Sequence, residues 1–283
     1  MAVSPSSPVD PTWQISHAVK ASICLLELFW AIILLARRGG FAAPPDVQCF
    51  YRRILQLSAF VSMLCLVLFI WMILEYIPWQ VFGLLGLLIP AMQGTQGFYL
   101  LNLLGADTAI EDNFRIVQPK TSECIFASHG VIILVAYAAS IALVLALNDP
   151  TWAFIAILVH GITLFTGGVM ATLILERTLR ALQYRRLKVM EMKEDINRNA
   201  DSVVELRRTS NRIRHRLVFT FPICTFIAAF LFVTSFVILY ESDPSYTEFV
   251  EQTFNEGYTV QYDLALYSYV VVSLAFLLLI SFG

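Results

Sequence analysis

AMQGTQGFYLLNLLGAD, residues 91–107, departs from the chain around it. It lies within a long apolar run, yet it carries Gln93, Thr95, Gln96 and Asn102, with Gly94 and Gly97 between them. Polar side chains facing hydrocarbon are costly, so a helix with a polar strip belongs inside a bundle, against other helices. Glycines at these positions thin the helix and admit a close neighbour. Pro90, one residue earlier, removes a backbone donor, leaves the carbonyl of Gly86 without its helical partner and predicts a kink. The stretch therefore predicts a central helix with a partly hydrated interior face. Gln96, Tyr99 and Asn102, at steps of three, are expected to extend that polar strip.

Outward from this stretch the chain is strongly apolar: 58% of its 283 residues are apolar and 14% charged, well outside the range of soluble domains. A bilayer core takes about 20 apolar residues per helix. Seven segments fit, at 15–36, 54–77, 79–104, 125–147, 152–175, 217–240 and 262–282. Arg37-Arg38-Gly39-Gly40, Pro78, Gly105, Asn148-Asp149-Pro150, Glu176 and Ser242-Asp243-Pro244 punctuate them. The reading is an all-α membrane protein, a seven-transmembrane helix bundle. Residues 1–14 form a short outer N-terminus, and 15–283 the helical domain. The first residues lack a basic region ahead of a short apolar core, so the first helix is expected to direct insertion itself.

Charge sets the direction. With the N-terminus outside, the inner loops 37–53, 105–123 and 176–216 hold every Lys and Arg except Lys20, which lies in the first span. Basic residues gather on the cytosolic side, which predicts N-terminus outside and C-terminus cytosolic. The last outer loop carries Glu241, Asp243, Glu248, Glu251, Glu256 and Asp263 with no basic residue. The 176–216 loop has twelve basic and six acidic residues and no Pro or Gly. The fifth span is expected to continue past the membrane as a helix, break near Asn197–Asp201, and lead through a second helix into the sixth. This surface suits anionic lipid or a cytosolic partner. The balanced net charge of −2 gives no sign of nucleic-acid binding.

Charged groups inside a span are functional candidates, because insertion of each costs about 2.5–3.5 kcal/mol at mid-bilayer. Glu27 lies near the middle of the first span. It either is protonated and bonded to a neighbouring helix or lines a cavity for a cation or proton. Lys20 lies two turns away on the same face, about 10 Å along the axis. A direct bond between them needs both side chains extended, and Lys20 can instead reach outward. His160 in the fifth span reads as a helix–helix hydrogen bonder. No two histidines share a helix at i, i+4, and the five cysteines form no pair motif, so neither metal nor cofactor is expected. Pro222 in the sixth span is a candidate hinge beside the basic loop. No catalytic motif is present, and enzyme activity is not expected.

Seven spans, an outside N-terminus, short outer turns and a long basic loop between the fifth and sixth spans resemble the layout of G-protein-coupled receptors over nearly the whole chain. Gln96-Gly97-Phe98 with Asn102 is similar to a Gln-Gly pattern in the seventh helix of secretin-type and cyclic-AMP-type receptors. It stands here in the third span, so no role is carried over. The third span ends NLLGAD where rhodopsin-like receptors have an acidic-Arg-aromatic triplet, and the last span lacks NPxxY and a retinal-type lysine. The plant seven-span family linked to tobamovirus multiplication tolerates such departures, and the layout resembles it as well. The resemblance implies a divergent receptor, in the plasma membrane by default or an endomembrane. It would bind a small ligand near Lys20, Glu27, Gln93, Gln96 and His160. It would contact a heterotrimeric G protein or other cytosolic transducer through Arg52, Arg53, Arg185, Arg186, Arg212 and Arg214, with Pro90 and Pro222 as hinges. A transporter or channel, or a membrane scaffold without ligand, is the alternative.

Overall fold

A computed structural model describes residues 11–37, 45–74, 79–111, 119–149, 151–191, 218–235 and 260–282, together with residues 210, 211, 214 and 245. The described residues form seven α-helices. They are α1 (Pro11–Arg37), α2 (Pro45–Ile73), α3 (Trp79–Glu111), α4 (Pro119–Leu147), α5 (Thr151–Glu191), α6 (Val218–Ser235) and α7 (Val260–Phe282). Three of them open on a proline, which lacks an N–H that the first turn could not use and has its φ already set for the helix. The first six contain stretches long and apolar enough to cross a membrane; in α7 the described apolar stretch is Leu266–Leu278. The protein is a multi-pass integral membrane bundle. Its outer surface is apolar, with Leu26, Val135 and Leu145 each more than half exposed, as contact with lipid tails requires.

Several helix limits differ from the sequence reading; the fourth helix, for one, begins at Pro119 rather than near residue 125. The second helix begins at Pro45 rather than near residue 54, because the preceding polar residues continue the helical turn beyond the apolar run. Arg52 and Arg53 therefore stand on α2 and not in a loop. Gly105 does not end the third helix, which runs on to Glu111. A lone glycine costs only about 1 kcal/mol against alanine in a helix, too little to stop one. The fifth helix does continue, unbroken to Glu191. The break expected near Asn197–Asp201 lies outside the described residues.

Between α4 and α5 the chain turns sharply. Asn148 takes a positive φ of 53°, a conformation asparagine tolerates at a helix end. Asp149 then caps α5, its carboxylate accepting the amide of Thr151 at 2.9 Å. Hydrogen bonds from the hydroxyl and amide of Thr151 hold the Asp149 carboxyl below the usual carboxylate range.

The helix α3 sits at the centre, packed against α2, α4, α5 and α7, while α1 lies on α2 and α7. Two apolar clusters fill the interior. One holds Cys24, Val61, Cys65, Phe69, Ile89 and Val270, from α1, α2, α3 and α7. The other is larger, runs across to α4, α5 and α6, and includes Ala31, Leu55, Leu100, Ile133, Leu164, Cys224 and Phe276.

Candidate functional site

The two apolar clusters are separated by a polar layer, and the separation falls at matching places on four helices. On α1 the apolar core breaks between Cys24 and Ala31, where Glu27 stands. On α2 it breaks at Ser58, between Leu55 and Val61, with Ser62 just beyond. On α3 it breaks between Ile89 and Leu100, around Gln93 and Gln96. On α7 the break falls between Val270 and Val272, and buried Ser273 lies just beyond it, next to Val272 of the larger cluster. All six polar side chains are buried.

Hydrogen bonds join the layer across helices. Ser62 Oγ donates to Glu27 Oε2 at 3.0 Å, linking α2 to α1. Gln96 Nε2 donates to Ser58 Oγ at 3.0 Å, linking α3 to α2. Gln93 Nε2 donates to the backbone carbonyl of Tyr269 at 2.6 Å, linking α3 to α7. The Tyr269 hydroxyl in turn donates to the carbonyl of Gly86 at 3.3 Å. That is the carbonyl whose helical donor Pro90 removes, so α7 supplies the missing bond. These bonds account for the amide groups Nε2 of Gln93 and Gln96 within α3. Yet the layer is not saturated: Glu27 Oε1, Gln96 Oε1 and Ser273 Oγ are buried without a hydrogen-bond partner.

The glycines of α3 face elsewhere. A Cβ on Gly94 would lie 2.3 Å from the ring of Tyr137, and one on Gly97 would lie 2.7 Å from His160 Nε2. Gly94 and Gly97 thus seat an aromatic pair from α4 and α5, in which Tyr137 Oη and His160 Nδ1 are hydrogen-bonded at 3.0 Å. His160 Nε2, turned toward Gly97, has no hydrogen-bond partner. One residue of offset turns a helix by about 100°, which puts the glutamines toward α2 and α7 and the glycines toward α4 and α5. The glycines of α5 seat its other neighbours: Gly167 receives Leu101 of α3, and Gly168 receives Cys224 of α6.

The strip expected through Gln96, Tyr99 and Asn102 does not hold together. Asn102 Nδ2 bonds its own helix at the Phe98 carbonyl and lies beside Gly130 of α4. Six residues turn an α-helix by about 240°, so Gln96 and Asn102 point to different neighbours.

Lys20 is buried, but apart from the polar layer. Its ammonium donates to Ser16 Oγ at 2.9 Å, lies 3.4 Å from His17 Nδ1 and sits 4.4 Å from the ring centre of Tyr267. It therefore extends toward the start of α1, away from Glu27, whose hydrogen bond goes to Ser62. Of the five ligand candidates, the structure joins Glu27, Gln93 and Gln96 in one layer. His160 adjoins α3 through Gly97, and Lys20 lies to one side.

Of the other candidates, Arg52 and Arg53 are exposed on the first turns of α2, and Arg214 is exposed. Arg185 and Arg186 stand on α5, and Arg212 lies outside the described residues. Pro90 is buried inside α3, and Pro222 stands within α6 and is exposed. Ser58, Ser62, Tyr137, Tyr269 and Ser273 were not singled out from the sequence. Only the four-residue step from Ser58 to Ser62 within an apolar run marked any of them there. Among the described residues no three His, Cys, Asp or Glu side chains are grouped to hold a metal ion. No family model, curated protein or solved structure matches the chain.

Proposed function

We propose that the chain is a divergent seven-helix receptor, with its N-terminus outside, that senses a small ligand and signals to a cytosolic partner, in the first instance a heterotrimeric G protein. The observation that carries this reading is the continuity of α5. A helix of 41 residues is about 60 Å long, twice the thickness of a bilayer core. It holds His160 against the central helix at one end and carries Arg177, Arg180, Arg185 and Arg186 toward the other. A rigid rod of this kind transmits a rotation or shift in the buried layer to a basic surface beyond the membrane. Exposed Arg37, Arg52, Arg53 and Arg214 add to that surface, which also suits anionic lipid. In this reading α6 swings about Pro222.

Glu27, a buried carboxyl with a free oxygen, favours a second reading as an ion or solute transporter. A nucleotide-exchange assay separates the two. Exchange on a Gα subunit that disappears when Arg185, Arg186, Arg212 and Arg214 become alanine supports the receptor. An ion or proton flux abolished by Glu27→Gln, with no exchange, replaces it with the transporter.

A further inference from the structure

We infer that Cys24 and Cys65 form a redox site inside the bundle, a thiol pair that an oxidant of the peroxide class converts to a disulfide joining α1 to α2. The two cysteines are far apart in sequence, and only the antiparallel packing of α1 on α2 brings them face to face. Three observations fix the pairing. A side-chain hydrogen bond joins the two thiols. Glu27, three residues after Cys24, is bonded at 3.0 Å to Ser62, three residues before Cys65. Lys20, four residues before Cys24, holds its ammonium 5.8 Å from the ring centre of Phe69, four residues after Cys65. One antiparallel register thus pairs residues on both sides of the thiols, and the thiols are its members in between. Both are buried in the smaller apolar cluster. The other cysteines are placed differently: Cys224 is buried against Gly168 of α5, and Cys49 and Cys124 are exposed.

The structure holds the pair as two thiols. Sulfurs already in hydrogen-bonding contact need only close to a bond of about 2.05 Å. The surroundings select the oxidant. A charged reagent or a second protein does not reach sulfur enclosed by apolar side chains, whereas hydrogen peroxide is small and neutral. In the first step the sulfur of one thiol attacks peroxide. The S–O bond forms, the O–O bond breaks, and the departing hydroxide leaves as water with the thiol proton, giving a sulfenic acid. The second sulfur then attacks the first. The S–S bond forms, the S–O bond breaks, and the hydroxyl leaves as a second water with the second thiol proton. Two thiol sulfurs are oxidised and one peroxide is reduced to two waters. Thiol, sulfenic acid and disulfide are all neutral, so no state along the route leaves a charge in the apolar cluster. A buried thiol is a slow nucleophile, so the pair answers sustained exposure and not a brief pulse. The disulfide closes a loop of about 40 residues and ties α1 to α2 one turn from Glu27 and Ser62.

The test uses the full chain carrying Cys49→Ser and Cys124→Ser, which removes the exposed thiols, purified under reducing conditions into lipid nanodiscs. It is exposed to hydrogen peroxide for hours, unfolded with N-ethylmaleimide to cap the remaining thiols, and digested without reductant for mass spectrometry. The expected product is a linked pair of peptides holding Cys24 and Cys65, separated by dithiothreitol, with Cys224 recovered as the capped thiol. Before digestion, oxidation should raise the thermal midpoint by about 5 °C, and Cys65→Ser should remove the rise. The linked peptides are read on the unaltered pair, so the test stands even where the serine variant does not fold. Recovery of Cys24 and Cys65 as capped thiols after peroxide would overturn the site. A link from either one to Cys224, or a link that leaves the midpoint unmoved, would overturn it too. The inference does not rest on the receptor reading: a chain without nucleotide exchange can still form the disulfide, and the reverse.

Discussion

The hydroxyl of Tyr269 on α7 meets the carbonyl of Gly86 on α3, at 3.3 Å, where Pro90 has removed that carbonyl's own helical donor. A gap in one helix is closed by a side chain from another, 183 residues away along the chain. With Gln93 bonded to the Tyr269 carbonyl at 2.6 Å, α3 and α7 hold each other at two points.

Tyr269→Phe should therefore destabilise the protein by about 1–2 kcal/mol, the cost of leaving a buried carbonyl without a donor. Pro90→Ala restores an amide to that carbonyl within α3. In the Pro90→Ala background the Tyr269→Phe cost should shrink to a few tenths of a kcal/mol, about what remains when no shared partner is lost. Unfolding of the four proteins of this cycle in detergent measures the coupling. Equal costs in both backgrounds would mean that the hydroxyl is not what replaces the missing bond.

Gly94 and Gly97 can be tested by alanine. In an open helix interior, alanine is favoured over glycine by about 1 kcal/mol. Here the added methyl would meet Tyr137 at 2.3 Å or His160 at 2.7 Å, and overpacking costs about 1–3 kcal/mol. The ring of Tyr137 is stiff and buried, so the steric cost wins and Gly94→Ala should lose about 1–2 kcal/mol net. Adding His160→Ala to Gly97→Ala should return part of the loss, read from the thermal midpoint of the double variant.

Asp149 gives a pH dependence with a definite sign. Its carboxylate is stabilised by Thr151 in the folded state, so its folded pKa lies below its unfolded value. The contribution is complete above about pH 4, the unfolded range, and fades as pH falls through the folded pKa. Asp149→Ala should cost about 1 kcal/mol at neutral pH, the usual value of a lost helix cap. Asp149→Asn should keep most of the cap while removing its share of the acid sensitivity. Stability curves of the three proteins from neutral to acid pH check this; parallel curves for the unaltered protein and the Asp149→Asn variant would exclude it.

The basic surface should be required for coupling to a partner. Replacing Arg185, Arg186, Arg212 and Arg214 together by alanine should lower nucleotide exchange by about tenfold or more, because four charge contacts with a partner at about 0.2–1 kcal/mol each add up to that. Thermal stability should change by less than about 2 kcal/mol in total, the outcome for arginines that contact a partner and not the bundle. A large loss of stability with the loss of exchange would instead give these arginines a structural role.

The sequence by itself determined the helical class and where the apolar helices of the described residues lie. Apolar runs of bilayer length are local facts, and in hydrocarbon a helix is the only structure that satisfies the backbone of a single segment. It also marked α3 as interior and Pro90 as a gap, because Gln93, Gln96 and a proline within an apolar run are costly anywhere else. It could not give Arg52 and Arg53 their helical setting or foresee that α3 continues past Gly105. Helix ends depend on which turns find packing and solvent, not on hydropathy alone. Only the tertiary structure decided which polar atoms meet. The bonds of Ser62 to Glu27, Gln96 to Ser58 and Tyr269 to Gly86 depend on the rotation of each helix about its axis and on its neighbours, and both are set by packing of the whole bundle. Lys20 and Glu27 share a face two turns apart in sequence, yet the bundle sends one toward Ser16 and the other toward Ser62. The same packing buried Glu27, Gln96 and Ser273, on three separate helices, each with an oxygen that has no hydrogen-bond partner.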